Sequence, residues 1–195
     1  MEHNFFSKAL VKEYRERMYG IDKEINLPME ILSFGISPGD RILHVGCCDK
    51  GINLINTLEY LKLETLYLGI DVKDEIKLLE EKYKDIPTYA FKQKSIQDLI
   101  DEELSEYNTG DIFEYTIITG LFDKPLYEAR HYEFIASVIE RCMLFSDKVI
   151  FIINSENYSN YSYSILYVMN ILLTANEYVT IKKLKKNNYI FCITH

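Results

Sequence analysis

The stretch Gly39-Asp40-Arg41-Ile42-Leu43-His44-Val45-Gly46-Cys47-Cys48-Asp49-Lys50-Gly51 decides the fold. A Pro38-Gly39 turn leads into a short apolar strand, Arg41–Val45, and then into a glycine-bearing loop. The spacing of Ile52, Ile55, Leu58 and Leu61 predicts an amphipathic helix from about Ile52. Strand, tight loop and helix together aim backbone N–H groups from a helix N-terminus, a usual place to hold a polar or anionic group.

Working outward, the alternation continues. Leu66–Ile70 reads as a second strand ending in Asp71, followed by a Glu/Lys-rich helix over about Asp74–Tyr83. Thr88–Lys92 is a short third strand, Ile96–Leu104 a helix, and Tyr115–Thr119 a fourth strand. Phe134, Val138, Cys142 and Phe145 sit at helical spacing before the apolar, β-branched run Lys148–Asn154, which suits a strand buried on both faces. A helix over Ser164–Ala175 precedes Tyr178–Leu184 and Tyr189–Thr194, whose short Lys-Lys-Asn-Asn joint predicts an antiparallel hairpin. Strands separated by helices imply an α/β fold, a doubly wound, mostly parallel Rossmann-like sheet with helices on both faces. Upstream, Phe6, Leu10, Tyr14 and Met18 lie four apart, and a short helix after Leu27-Pro28 stops at Gly35. Residues 1–35 thus read as a helical cover and 36–195 as the core of one domain.

Composition narrows the partners. The chain of 195 residues carries a net charge of −8, with Lys and Arg scattered except at Lys182–Lys186. That distribution reads against a phosphate-tracking surface and so against a nucleic-acid partner. The four cysteines show no CxxC or Cys/His spacing for a metal. They read as reduced thiols of a cytoplasmic protein. No signal peptide is expected from the N-terminus, and the apolar run Tyr163–Ala175 is too short to span a membrane.

In an open parallel sheet the ligand lies beyond the carboxyl ends of the strands, where strand order reverses. Those ends carry His44 to Gly51, Asp71-Val72, Ser95-Ile96, and Thr119-Gly120 onward to Pro125. A carboxylate after the second strand suits two ribose hydroxyls, because it accepts both hydrogen bonds. Asp71 is placed for that role, or else caps a helix. The pattern Gly46-x-Cys48-x-x-Gly51, with Asp71 twenty positions on, resembles a dinucleotide fingerprint lacking its second glycine. That glycine lets backbone touch a pyrophosphate, and a cysteine side chain obstructs the contact. An adenosyl group carrying an amino acid, S-adenosylmethionine, needs less clearance. An NAD-dependent oxidoreductase is the lesser reading.

From about Gly39 to His195 the chain resembles the class I S-adenosylmethionine-dependent methyltransferases. The resemblance rests on Arg41–Gly51, Tyr67–Val72, Tyr115–Phe122 and Val149–Ser155, the third of these similar to a segment of small methyltransferases with no assigned substrate. The closing antiparallel hairpin is also a mark of that family. The resemblance implies that Gly46, Cys48 and Gly51 border the methionine end of the cofactor, Asp71 and Val72 the ribose, and Ser95 and Ile96 the adenine. Thr119 and Gly120 would then face the transferred methyl. The chain departs from the family where His44 replaces an acid near the cofactor's ammonium, where Cys48 and Lys50 replace glycines, and where Ser95 replaces an adenine-reading acid, with Asp98 nearby.

The resemblance implies methyl transfer to a small-molecule acceptor. Positioning carries most of such a reaction, and a base serves only if the acceptor must lose a proton early. Asp123 and His131 are the candidates, against plainer roles as a turn residue and a helix start. Asp123-Lys124-Pro125-Leu126 lacks the second proline and stacking aromatic of enzymes that methylate base amines. The tyrosines of 157–163 suit either a substrate loop or a packed surface loop. The departures leave a second function open, a binding or regulatory module that keeps the fold without turnover.

Overall fold

The computed structural model describes residues 27–98, 113–122, 131–154, 165–175, 178–184 and 188–194, without the side chains at 49–53, 131, 154, 174 and 175. In chain order the elements are α1 (Leu27–Leu32), β1 (Arg41–Val45), α2 (Cys47–Tyr60), β2 (Leu66–Asp71), α3 (Ile76–Tyr83) and β3 (Tyr89–Gln93). There follow β4 (Phe113–Ile118), α4 (His131–Met143), β5 (Ser146–Asn154), α5 (Ile165–Ala175), β6 (Tyr178–Lys183) and β7 (Asn188–Thr194). Seven strands form one sheet in the order β3-β2-β1-β4-β5-β7-β6.

The first five strands pair in parallel, and β7 enters antiparallel between β5 and β6. The expected architecture is therefore present, hairpin included. In β5, Val149 to Ile153 are all buried, as an apolar run in an interior strand requires. Phe151 lies opposite Phe191 with the rings stacked 4.8 Å apart, a cross-strand pair that fixes the register of β7. At the edge, β6 alternates exposed and half-buried residues and ends on Lys182 and Lys183, charges that discourage a further strand from pairing there.

Two apolar layers cover the sheet. On one face Ile42, Tyr67, Tyr115, Ile117 and Ile150 pack with Ile31 and Leu32 of α1, Leu54, Ile55 and Leu58 of α2, and Leu79 of α3. On the other, Leu43, Val45, Ile70, Ile118, Val149 and Phe151 pack with Ile135, Ile139 and Cys142 of α4 and Val168 and Leu172 of α5. The period-2 alternation along β1 and β5 sends neighbouring residues into opposite layers.

The boundary that moved is the start of α2. The sequence reading placed it near Ile52, whereas the helix begins at Cys47, directly after the strand. Gly46 makes this abrupt entry possible: its φ of 77° reverses the chain within one residue. Its N–H bonds the Ile70 carbonyl at 2.9 Å, and a Cβ at this position would overlap the Thr119 carbonyl oxygen. The fourth strand also shifted, from the expected Tyr115–Thr119 to Phe113–Ile118. Thr119 still bonds β1, its N–H donating to the Val45 carbonyl at 2.9 Å. The expected helix over Phe6–Met18 lies outside the described residues, as does all but the first turn of that over Ile96–Leu104.

Candidate functional site

Strand order reverses between β1 and β4, because β1 leads outward to β2 and β3 while β4 leads the other way to β5. Their carboxyl ends carry Gly46 and Thr119, and the end of β2 beside them carries Asp71. Asp71 is only 8% exposed, an unusual position for a carboxylate unless it is engaged. One of its oxygens accepts the Cys48 N–H at 3.1 Å and the other the Lys73 N–H at 3.0 Å. The first bond satisfies an orphan N–H in the opening turn of α2 and sets a negative charge at its positive end. The second closes a local turn.

The Asp71 charge is felt by both cysteines. Burial, then the Asp71 charge and a hydrogen bond to it, push the Cys48 thiol up to about 12. Burial first, with the neighbouring Cys48 and Asp71, also raises Cys47 well above the ordinary thiol range. Neither is a nucleophile at neutral pH. Val72, next to Asp71, is 66% exposed, and its carbonyl is held by Gln93 Nε2 at 3.2 Å. A buried carboxylate and an open apolar side chain thus adjoin at one strand end.

His44, expected near a ligand ammonium, is a buried side chain with two protein partners. The residue is 0% exposed, with Nδ1 2.6 Å from Tyr67 Oη and Nε2 2.7 Å from Thr119 Oγ1. Thr119 Oγ1 in turn donates to the Gly46 carbonyl at 3.0 Å. Period 2 puts His44 on the α2 face of the sheet, between Tyr67 of β2 and the residue after β4, so both ring nitrogens are engaged within the protein. Thr119 is 1% exposed and also turned inward, while Gly120 beside it has a φ of 77°. Tyr67 went unnoticed in the sequence, where a tyrosine inside a strand reads as packing. The buried histidine on the neighbouring strand, diagonal to it, gives its hydroxyl a purpose.

Ser95 and Asp98 engage each other. The Asp98 N–H donates to Ser95 Oγ at 3.0 Å, and the Ser95 N–H donates back to Asp98 Oδ2 at 3.2 Å, with the Ser95 hydroxyl on the same oxygen at 2.7 Å. This reciprocal pair is a capping box at a helix start, and the Ser-x-x-Asp spacing was its signal. Ile96 is buried in the sheet layer that includes Leu43 and Ile70. Asp123 lies outside the described residues, as do the side chain of His131, the Tyr-rich 157–163 and the side chains of Asp49 and Lys50. Gly51 is within α2, in its second turn.

A carboxylate offers about four acceptor positions, of which two backbone N–H groups and the Cys48 thiol take three on Asp71, leaving capacity for a hydroxyl. Among the described residues no group of three His, Cys, Asp or Glu could hold a metal ion, and no helix is long and apolar enough to cross a membrane.

No protein-family model matches the sequence, and no curated protein does. Solved structures do match. A S-adenosylmethionine-dependent methyltransferase from Aquifex aeolicus aligns over 96% of this chain and 98% of its own, at 15% identity and a TM-score of 0.52. A chain from Clostridium thermocellum named for an rRNA methylase aligns over 89% and 98%, at 12% identity and 0.55. The M. capricolum protein TrmK, solved with S-adenosylhomocysteine, aligns over 88% and 69%, at 12% and 0.55. The architecture also matches a Rhodobacter sphaeroides chain named for Zn-dependent alcohol dehydrogenases, at 11% identity, over 92% and 94%, with a TM-score of 0.57. At such identities the likeness is one of fold: a methyltransferase-like, Rossmann-type sheet.

Proposed function

We propose that this chain is a S-adenosylmethionine-dependent methyltransferase that holds its cofactor across the carboxyl ends of β1 and β2. The observation that carries the reading is Asp71, a buried carboxylate at the end of β2 that keeps acceptor capacity beyond its bonds to two backbone N–H groups and the Cys48 thiol. A ribose hydroxyl would complete it, and exposed Val72 offers the apolar surface beside it for the flat face of the base. The neighbours named for methylation support the same ligand.

When bound, S-adenosylmethionine supplies a methyl group already activated on a sulfonium, so the protein's contribution is to orient and to exclude water. Asp71 orients the ribose. The β1–α2 turn, set by Gly46, presents the opening of α2 to the cofactor. Asp123 and His131 remain the candidates for proton removal from an acceptor.

For the acceptor, the net charge of −8 and scattered lysines favour a small molecule. A nucleic acid is the second reading, and it is favoured by the neighbour named for an rRNA methylase. A module that binds the cofactor without turnover is the third, and it is favoured by His44, whose nitrogens are both committed inside the core.

Calorimetry with S-adenosylmethionine, S-adenosylhomocysteine and NAD tests the proposal directly. Binding of both adenosyl ligands in the micromolar range and none of NAD is expected. Binding of NAD alone would overturn it. Ligand affinity without methyl transfer to nucleosides, RNA or a panel of small acceptors would move the protein to the third reading.

A further inference from the structure

The hydrogen bonds of the buried His44 can be given a direction. Gly46 O is a carbonyl and only accepts, so the single hydrogen of the Thr119 hydroxyl is committed to it. Thr119 Oγ1 must then accept from His44, which makes Nε2 the protonated nitrogen. A neutral imidazole protonated at Nε2 presents a lone pair at Nδ1, and Tyr67 Oη, at 2.6 Å, donates its hydrogen there. The three bonds thus run in one direction, from Tyr67 through His44 and Thr119 to Gly46. His44, Thr119 and Tyr67 are 0%, 1% and 2% exposed, so water has little part in it.

We infer that Tyr67, His44 and Thr119 form a one-way hydrogen-bond relay whose end, the Gly46 carbonyl, fixes the turn that aims the opening of α2 at the ligand. The three are positioning residues for the adenosyl site, and this part of the inference rests on the reading of the strand ends given above. Gly46 is also held by its N–H on Ile70, and as the N-cap of α2 its carbonyl accepts the first intrahelical bond as well as the Thr119 hydroxyl. Its positive φ is a conformation with few alternatives once both its N–H and its C=O are tied. Two residues on, the Cys48 N–H meets Asp71. A Gly46 carbonyl released from Thr119 loses one of its two donors, which loosens the turn and with it the aim of the Cys48 N–H at the carboxylate. The relay therefore reaches the ligand site through the backbone, without any of its side chains touching the ligand.

The test uses the full chain and three variants, Thr119→Val, Thr119→Ser and Tyr67→Phe. In the wild type, nitrogen NMR of the imidazole should show His44 protonated at Nε2 and bare at Nδ1. Thr119→Val keeps the shape and removes the last donor. It should speed exchange of the Cys48 amide and weaken S-adenosylhomocysteine binding, each by about tenfold or more. Thr119→Ser restores the hydroxyl and should bring both within about threefold of the wild type. Tyr67→Phe cuts the line at its far end and should cost less on both measures than Thr119→Val, even at equal loss of global stability. An Nδ1-protonated His44 overturns the relay, as does a Cys48 amide unaffected by Thr119→Val. Equal losses from Thr119→Val and Tyr67→Phe that track only their global stability would reduce it to ordinary core packing. If the wild type binds no adenosyl ligand, the functional reading fails alone, because the tautomer and the Cys48 amide still decide the relay.

Discussion

The backbone N–H of Cys48 donates to the carboxylate of Asp71 across 3.1 Å, joining the first turn of α2 to the last residue of β2. One side chain is thereby given two tasks, holding a helix start and receiving a ligand. The Asp71→Asn variant separates them. Asparagine keeps the size but has one acceptor oxygen, so one of the two N–H groups now faces an amide NH₂. Unfolding in urea should show a loss of about 1–3 kcal/mol, the cost of stranding a buried donor. Calorimetry should show S-adenosylhomocysteine affinity reduced about tenfold or more, equivalent to about 1.4 kcal/mol. A variant that loses stability and keeps its affinity would leave Asp71 as a helix cap only.

Glycines 46 and 39 offer a contrast within one stretch. Both have positive φ, 77° and 90°. A Cβ on Gly39 meets nothing within 4 Å, whereas one on Gly46 overlaps the Thr119 carbonyl oxygen. Gly39→Ala should therefore cost only the backbone preference, about 1–2 kcal/mol. Gly46→Ala adds a steric conflict with backbone just past the end of β4, and backbone cannot rotate aside. It should cost several kcal/mol, about 3 or more, and be found largely unfolded or insoluble. Comparable midpoints for the two variants would mean that the chain between β1 and α2 yields more readily than its packing suggests.

That same glycine shows what was legible beforehand. The strand positions were, because runs such as Arg41–Val45 and Lys148–Asn154 are apolar, short and bounded by turn residues. The closing hairpin was legible too, and with it the fold class. Gly46 itself was noticed as a border of the cofactor's methionine end, and the structure adds that its missing side chain makes room for Thr119. The helix start was misplaced. A Gly-x-Cys-x-x-Gly spacing suggests a loop of several residues, but one residue in the left-handed conformation completes the reversal. The His44 placement was beyond sequence, since its partners Tyr67 and Thr119 are 23 and 75 positions away. The pairing of Ser95 with Asp98 was written in a local spacing and could have been taken as a cap from the start.

Gly69 in β2 makes a second close fit. A Cβ there would come within 2.8 Å of a Phe91 ring carbon and 2.9 Å of Cys47 Sγ. Gly69→Ala should therefore destabilise by about 1–3 kcal/mol through overpacking. Cys47→Ala removes one of the two obstacles and leaves a small void of its own. The double variant should be more stable than the sum of the two single losses predicts, with a coupling of about 0.5 kcal/mol or more. Urea midpoints of the four proteins measure it. Strict additivity would show that Phe91 alone sets the limit at Gly69.

Alkaline stability should fall because of a buried thiol. Cys142 in α4 is 0% exposed, and burial pushes its thiol up from an ordinary 9.0 to about 12. In the unfolded chain the thiol loses its proton near 9.0, whereas in the folded protein it keeps it, so the folded state binds more protons over that interval. The stabilisation is complete below pH 9 and is withdrawn as pH rises from there through the folded value. The slope from this one group is about 1.4 kcal/mol per pH unit. Lysines and tyrosines titrate in the same interval, so the comparison must be with a variant lacking only this thiol. Cys142→Ala will be less stable at pH 8 because it leaves a void, but its unfolding free energy should fall less steeply between pH 9.5 and 11, by about 1.4 kcal/mol per unit. Parallel pH profiles for the two proteins would show that the Cys142 proton takes no part in the alkaline loss.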